Sequence, residues 1–302
     1  MYIDIILSYK PLYLLVMITC GIFGAMVGSF LNVCIYRLPK EHISIVTPRS
    51  RCPHCGKGIS WYSNIPIVSW VCLGGACEYC RYPISFRYTF VEMLCSTLFL
   101  FFMQYLFLTP LGNSPFYDLS FHHRIFALVI AYYFIGTMIA VTFIDIDYRI
   151  IPQVLTHPGI VLAPIVSFFF PYLHPQIVVV DNIHVGGLLS SILGILVGGG
   201  SLYVTGVFGK IIFGKEAMGF GDVMLMAFVG GFLGWDSALL IFFSACFIGT
   251  FFGIINIMVT KDHYLPFGPY LASATLIVFL FKNNLIEFAL YEWPQLLRSW
   301  LM

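Results

Sequence analysis

Two aspartates stand where long apolar runs give way to polar chain. Asp145 lies in the stretch Thr142 to Pro152 (TFIDIDYRIIP), which closes one such run; Asp222 ends Met218 to Asp222 (MGFGD), just ahead of another. An acidic side chain beside a membrane-length apolar run is costly, and it marks a functional candidate whose partner should be named. Asp145 paired with Asp222 could carry out general acid–base chemistry on an amide. One carboxylate takes a proton from water, and the other protonates the carbonyl oxygen and later the leaving amine. The alternative is that each aspartate simply caps a helix end in water. Gly219 and Gly221 weigh against this for Asp222, because glycine allows close backbone approach and unusual dihedrals.

A second constellation is made of cysteines. Cys52 and Cys55 (CPHC) and Cys77 and Cys80 (CEYC) form two C-x2-C knuckles separated by residues 56–76. Four thiolates from two knuckles suit tetrahedral zinc, and a site with all four positions filled is structural rather than catalytic. Reduced free thiols or a redox pair are the alternatives. Zinc would also help a small polar segment with little core to fold. Cys72 is read as buried rather than as a ligand, and His54 is not read as a ligand. Cys20, Cys34, Cys95 and Cys246 lie in apolar runs and read as small core residues.

The elements that must position these groups follow from composition. The 302 residues are 60% hydrophobic and only 10% charged, with a mean hydropathy of +0.92. A soluble domain carries about a quarter charged residues. A polytopic membrane protein is therefore expected, and the net charge of +1 offers no broad field for nucleic acid. The N-terminus does not read as a cleaved secretory signal, because its polar head holds Asp4 beside Lys10 and no clear cleavage site follows.

Apolar runs fall at 12–36, 89–108, 125–144, 154–173, 185–208, 223–233, 238–259 and 266–281. Most approach the roughly 20 residues that a spanning helix needs. The run at 223–233 is short, and Pro158, Pro164 and Pro171 break the fourth. The expected fold class is an all-α polytopic membrane protein. It has about eight transmembrane helices and a small zinc-knuckle cytoplasmic domain inserted after the first helix. Placing residues 37–88 in the cytoplasm puts eleven of the fifteen lysines and arginines inside, and it brings Asp145 and Asp222 to one membrane face. The chain divides into a first transmembrane helix (1–36), the cytoplasmic zinc-binding segment (37–88), a second helix with its outer loop (89–124), a membrane domain holding both aspartates (125–281) and an interfacial tail (282–302). Gly186-Gly187 and Gly198 to Gly200 read as sites of close helix packing in lipid.

Together these residues resemble the prepilin peptidases, also called the type IV leader peptidase family. Gly28 to Pro39 (GSFLNVCIYRLP) is similar to the family's N-terminal motif. The paired knuckles, Arg81 to Tyr88 (RYPISFRY) and Glu92 continue the pattern; Asp145 to Pro152, Met218 to Asp222 and Pro266 to Leu271 (PFGPYL) complete it in order. The resemblance implies a bifunctional enzyme of the bacterial inner membrane with active sites facing the cytoplasm. Its protein substrates would be type IV prepilins and pseudopilins. It would cleave their leader peptide and then N-methylate the new N-terminal residue with S-adenosylmethionine. In these terms residues 37–88 belong to the methyltransferase part and 125–281 form the aspartic peptidase domain. Asp145 and Asp222 match the catalytic pair; the spacing to Pro152 favours Asp145 over Asp147. Two positions depart from the family pattern: Gln153 stands where Asp is frequent, and Met224 where Lys is common. For methyl transfer, Glu92 could orient or deprotonate the amine, with Arg37, Arg81 and Arg87 holding the donor's carboxylate. Alternatively, Glu92 pairs with Arg87 or Arg81, and the arginines only obey the positive-inside rule.

Three other functions compete: a peptidase alone with the zinc segment used for substrate docking, an ion-coupled membrane transporter, and a zinc-stabilised docking protein without chemistry. Both acids lie at one face and none sits mid-span, which argues against the transporter.

Overall fold

Each apolar run becomes a helix, because in hydrocarbon every backbone N–H and C=O must find its partner within the segment. The computed structural model describes residues 9–40, 44–46, 50–108, 120–174, 180–214, 218–260 and 266–287. Among these the helices are α1 (Lys10–Arg37), the short α2 (Val68–Cys72), α3 (Phe86–Phe102, extended by a π turn over Met103–Leu108), α4 (Phe121–Tyr148), α5 (Gln153–Phe169), α6 (Ile183–Phe213), α7 (Phe220–Leu233), α8 (Trp235–Thr260) and α9 (Gly268–Glu287). Five are long and apolar enough to cross a membrane (α1, α3 with its π turn, α4, α6 and α8), and three apolar ones are shorter (α5, α7 and α9). The protein is thus all-helical and membrane-spanning, with the four cysteines between α1 and α3.

One expectation needs correction. Pro158 and Pro164 do not break the fourth run, since α5 passes through both and ends only at Phe169, before Pro171 opens a 3-10 turn. Neighbouring helices make such prolines tolerable in a membrane helix. At the end of the last run α9 kinks at Phe281 and continues to Glu287, and the rest of the tail lies outside the described residues.

The chain forms two compact units that divide inside α4, one ending at Ile144 and the other beginning at Asp145. In the first unit α1 and α3 cross at small residues. A Cβ at Gly24 would sit 2.8 Å from the Ser96 backbone, and one at Gly28 would sit 2.7 Å from the Glu92 Cα. Such close approach lets backbones pack where lipid offers no hydrophobic drive between helices. Ser96 Oγ donates to the Gly21 carbonyl at 2.8 Å, and Phe99 stacks on Tyr132 with centroids 3.9 Å apart. Cys20, Cys34 and Cys95 are buried as expected.

In the second unit α7 is the central element. Eight of its fourteen residues are buried, from Leu225 to Phe232, so it is apolar all round rather than striped. At 1.5 Å per residue it is about 21 Å long, short of a full crossing. It packs on α6 through glycines: a Cβ at Gly194 would collide with the Gly230 carbonyl, and one at Gly230 with the Gly194 carbonyl. Gly187, Gly198 and Gly199 also meet neighbours closely, whereas Gly200 faces open space. Gly194→Ala should therefore cost about 1–3 kcal/mol through overpacking, while Gly200→Ala should be neutral or slightly stabilising. Thermal unfolding of the two variants in detergent checks the contrast. Cys246, expected in the core, is exposed on α8.

Candidate active site and metal centre

Asp145 sits in the last turn of α4 and is only 5% exposed. Its Oδ2 accepts the Gly268 N–H at 2.8 Å, at the first residue of α9. An anion at a helix N-terminus meets free N–H groups and the positive end of the helix dipole. Glycine is required there by space, because a Cβ at Gly268 would lie 2.8 Å from the same Oδ2. The helix carrying Asp145 stops just beyond it. Arg149 takes a left-handed φ of +58° while its N–H still reaches the Asp145 carbonyl at 2.9 Å. Pro152 then caps α5.

Asp222 lies in the first turn of α7, whose N-cap is Gly219. The Asp222 Oδ2 folds back over Gly219, where an added Cβ would stand 3.3 Å away. Gly221 is pressed on the α4–α5 turn: its Cβ would lie 2.8 Å from the Ile151 Cβ. The glycines thus serve close approach, as expected. They do not supply unusual dihedrals, since neither is among the positive-φ residues. The two aspartates are near enough that the charge of Asp145 acts on Asp222. Asp147, two residues on, is exposed. Four segments therefore build this site: the end of α4, the turn at Ile151, the start of α7 and the start of α9. The role of Gly268 was not read from the sequence, although PFGPYL, with glycine between two prolines, was the available signal.

The four cysteines come together in the first unit. Their sulfurs all lie within 4.8 Å of one another, with Cys52 and Cys80 3.8 Å apart. A tetrahedral thiolate site with metal–sulfur bonds of about 2.3 Å places its sulfurs about 3.8 Å apart. The two knuckles are built alike. Gly56 and Arg81 donate their N–H to the carbonyls of Cys52 and Cys77, and the Cys52 and Cys77 N–H groups reach the carbonyls of Lys57 and Tyr82. The N–H groups of Tyr79 and Cys80 point at the Cys77 sulfur, as donors around a metal-bound thiolate do. The cluster can hold a metal ion. Gly56 turns with φ +70°, and Arg81 takes the matching position with φ +56°, a conformation that costs a residue with a Cβ about 1–2 kcal/mol. His54 is no ligand; it stacks on Tyr82 at 4.5 Å. Cys72 is not buried but exposed at the end of α2, because that short helix presents Val68, Val71 and Cys72 outward. Glu78 accepts from Ser63 (2.7 Å) and Tyr62 (2.9 Å), which hold its carboxyl below the usual range and stitch the second knuckle to the preceding turn.

Glu92 is buried in α3 opposite Gly28. Its hydrogen bonds come from the Ile67 N–H, at 2.8 Å, and from Ser29 rather than from Arg81 or Arg87. Ile67 has φ +64°, an outlier for a β-branched residue, and is the N-cap residue of α2. Glu92 therefore holds a strained turn of the cysteine segment. Arg87 donates to the Phe143 carbonyl at 3.1 Å, Arg37 donates to the carbonyls of Ser44 and Ile45, and Arg81 is exposed.

Comparison with known proteins accords with these two regions. Residues 22–106 match the bacterial peptidase A24 N-terminal domain, and residues 132–254 match the type IV leader peptidase family. Over 289 residues the chain is 32% identical to a prepilin leader peptidase/N-methyltransferase of Dichelobacter nodosus, covering 86% of this chain and 90% of that one. It is 30% identical to the Aeromonas hydrophila protein of the same name, covering 89% and 92%, and 30% identical to that of Pseudomonas aeruginosa, covering 93% and 96%. No solved structure matches. With both regions matched in order and relatives aligned nearly end to end, the chain belongs to the type IV leader peptidase family.

Proposed function

We propose that this protein cleaves the leader peptide of type IV prepilins and pseudopilins at the cytoplasmic face of the bacterial inner membrane, and then N-methylates the new N-terminus. The observation that carries the first half is the placing of Asp145 on the Gly268 N–H within electrostatic reach of Asp222. A pair so placed can divide the roles of base and acid. One carboxylate then accepts a proton from the attacking water while the other donates its proton to the carbonyl oxygen; as the C–N bond breaks, the first passes its proton to the leaving amine and the second takes one back from the collapsing gem-diol. The face is assigned from the lysine and arginine distribution. The similarity to prepilin leader peptidase/N-methyltransferases supports both activities.

For the second half, S-adenosylmethionine when bound would supply the transferable methyl group. Arg81, exposed, suits the donor's carboxylate, and Glu92 is the candidate to orient the amine; the Arg87 guanidinium is engaged with the Phe143 carbonyl. The metal of the four cysteines would be zinc in a closed, structural role. The test is an assay on purified full-length protein with a prepilin, with mass spectrometry reading leader loss and methylation separately. Intact prepilin after prolonged incubation with well-folded enzyme would sink the peptidase reading.

The commitment of Glu92 to Ile67 and Ser29 favours a second reading, in which the cysteine segment only docks substrate. Glu92→Gln separates the two. The amide oxygen can still accept from Ile67, so the turn should survive. Methylation of a pre-cleaved pilin should fall about 10²-fold or more, with cleavage changed little. Undiminished methylation would favour docking, and equal loss of both activities would indicate a folding defect.

A further inference from the structure

A second polar cluster lies in the membrane unit that carries the aspartates, at the other end of its helices. His174, 3% exposed, follows the 3-10 turn after α5, and its Nε2 lies 2.7 Å from Ser167 Oγ. Lys282 of α9 is paired with Asp236 in the first turn of α8, and it also donates to Ser237 Oγ at 3.0 Å. The hydrogens can be assigned. Ser167 has one hydroxyl proton, and it goes to the Ala163 carbonyl at 2.7 Å. Ser167 Oγ must therefore accept from His174 Nε2, which carries the ring proton. Burial pushes the His174 pKa down to about 4, so the ring is neutral and Nδ1 is a bare acceptor. Nδ1 has no partner among the described residues. A buried acceptor left so carries its full desolvation penalty.

Gly234, between α7 and α8, shows what could satisfy it. The point where a side chain would begin lies 3.5 Å from His174 Nδ1 and 3.3 Å from Asp236 Oδ1, with no other atom beyond the adjoining residues within 4 Å. The φ of +86° at Gly234 keeps L side chains out of this notch. Two acceptors thus border one notch; Asp236 Oδ1 already accepts the Ser237 N–H at 2.7 Å, and a guest with two hydrogens can serve both. We propose that one water molecule sits above Gly234, donates to His174 Nδ1 and Asp236 Oδ1, and joins the Ser167–His174 and Asp236–Lys282 pairs into a knot that positions the two aspartates from the far end of their helices.

The helices tied by the knot are those that build the aspartate site. The turn entering α5 presses Ile151 on Gly221, α7 carries Asp222 in its first turn and is followed directly by Gly234, and α9 starts with the Gly268 that holds Asp145. A helix is a stiff rod, and Asp222 and Leu233 are only about 17 Å apart along α7. Fixing the far ends sets the near ones, and small displacements at a reacting pair are costly. His174, Asp236 and Lys282 are then positioning residues, an inference that rests on the peptidase reading of Asp145 and Asp222.

The test uses purified full-length protein and prepilin cleavage kinetics. His174→Phe and Lys282→Met should each lower kcat about tenfold or more and leave KM within about twofold, while Lys282→Arg should retain most of kcat. Because the water couples the pairs, the double variant His174→Phe/Lys282→Met should lose little more than the worse single variant, in kcat and in melting temperature. Additive losses, or a raised KM with unchanged kcat, would overturn the proposal. So would a high-resolution structure with no density in the notch. Asp145→Asn run in parallel separates the two failures. If it cleaves like the parent, the peptidase reading falls, and the coupling in melting temperature still decides the knot.

Discussion

Asp145→Asn and Asp222→Asn are each expected to abolish leader cleavage, a loss of about 10²–10⁴-fold or more, while methylation of a pre-cleaved pilin survives. Asparagine can neither accept nor donate the travelling proton. A lone carboxylate cannot be base and acid in the same step. The substitutions are nearly isosteric, and after Asp145→Asn the amide oxygen can still accept the Gly268 N–H, so the helix ends should keep their places. Cleavage by the parent should follow a bell-shaped pH profile, because activity needs one carboxylate ionised and the other protonated. Asp147→Asn is the control. Its side chain is exposed and turned about 200° from Asp145 on the helix, and most activity should remain. Loss with Asp147→Asn but not with Asp145→Asn would place the dyad two residues further on.

Replacing any one of Cys52, Cys55, Cys77 or Cys80 by Ser should reduce bound zinc from near one per chain to near zero. Zinc held by four thiolates in small domains contributes about 10–16 kcal/mol of binding free energy that is also folding free energy. The cysteine segment has little core of its own to compensate, since Trp61, Val68 and Val71 are exposed. Its loss should appear as rapid proteolysis between α1 and α3, with the membrane helices resistant. Methylation should fall with it. Cys72→Ser should keep the metal, since that thiol is exposed outside the cluster. Metal analysis and limited proteolysis read both outcomes, and a parent protein without metal would refute the closed site.

Much of this was legible in the chain. Apolar runs specify helices wherever the surroundings cannot satisfy a backbone, so each of the eight runs falls on one of the eight apolar helices. The four cysteines were legible for a similar reason: two C-x2-C knuckles carry their geometry in local turns. The prolines of α5 misled because their effect depends on neighbouring helices, which no local pattern shows. Cys72 and Cys246 misled because an apolar run marks contact with lipid as readily as burial in protein.

The sequence by itself determined the membrane class, the helix positions, the knuckles and the two aspartates as candidates, since each depends on residue type and local spacing. Only the tertiary structure decided what holds those residues. Gly268 is 123 positions from Asp145, yet its N–H fixes the carboxylate. Ile67 is 25 positions from Glu92, yet its strained N–H occupies that side chain. Such partners are chosen by helices crossing at glycines, and the contact that results depends on packing distance, which sequence spacing does not encode.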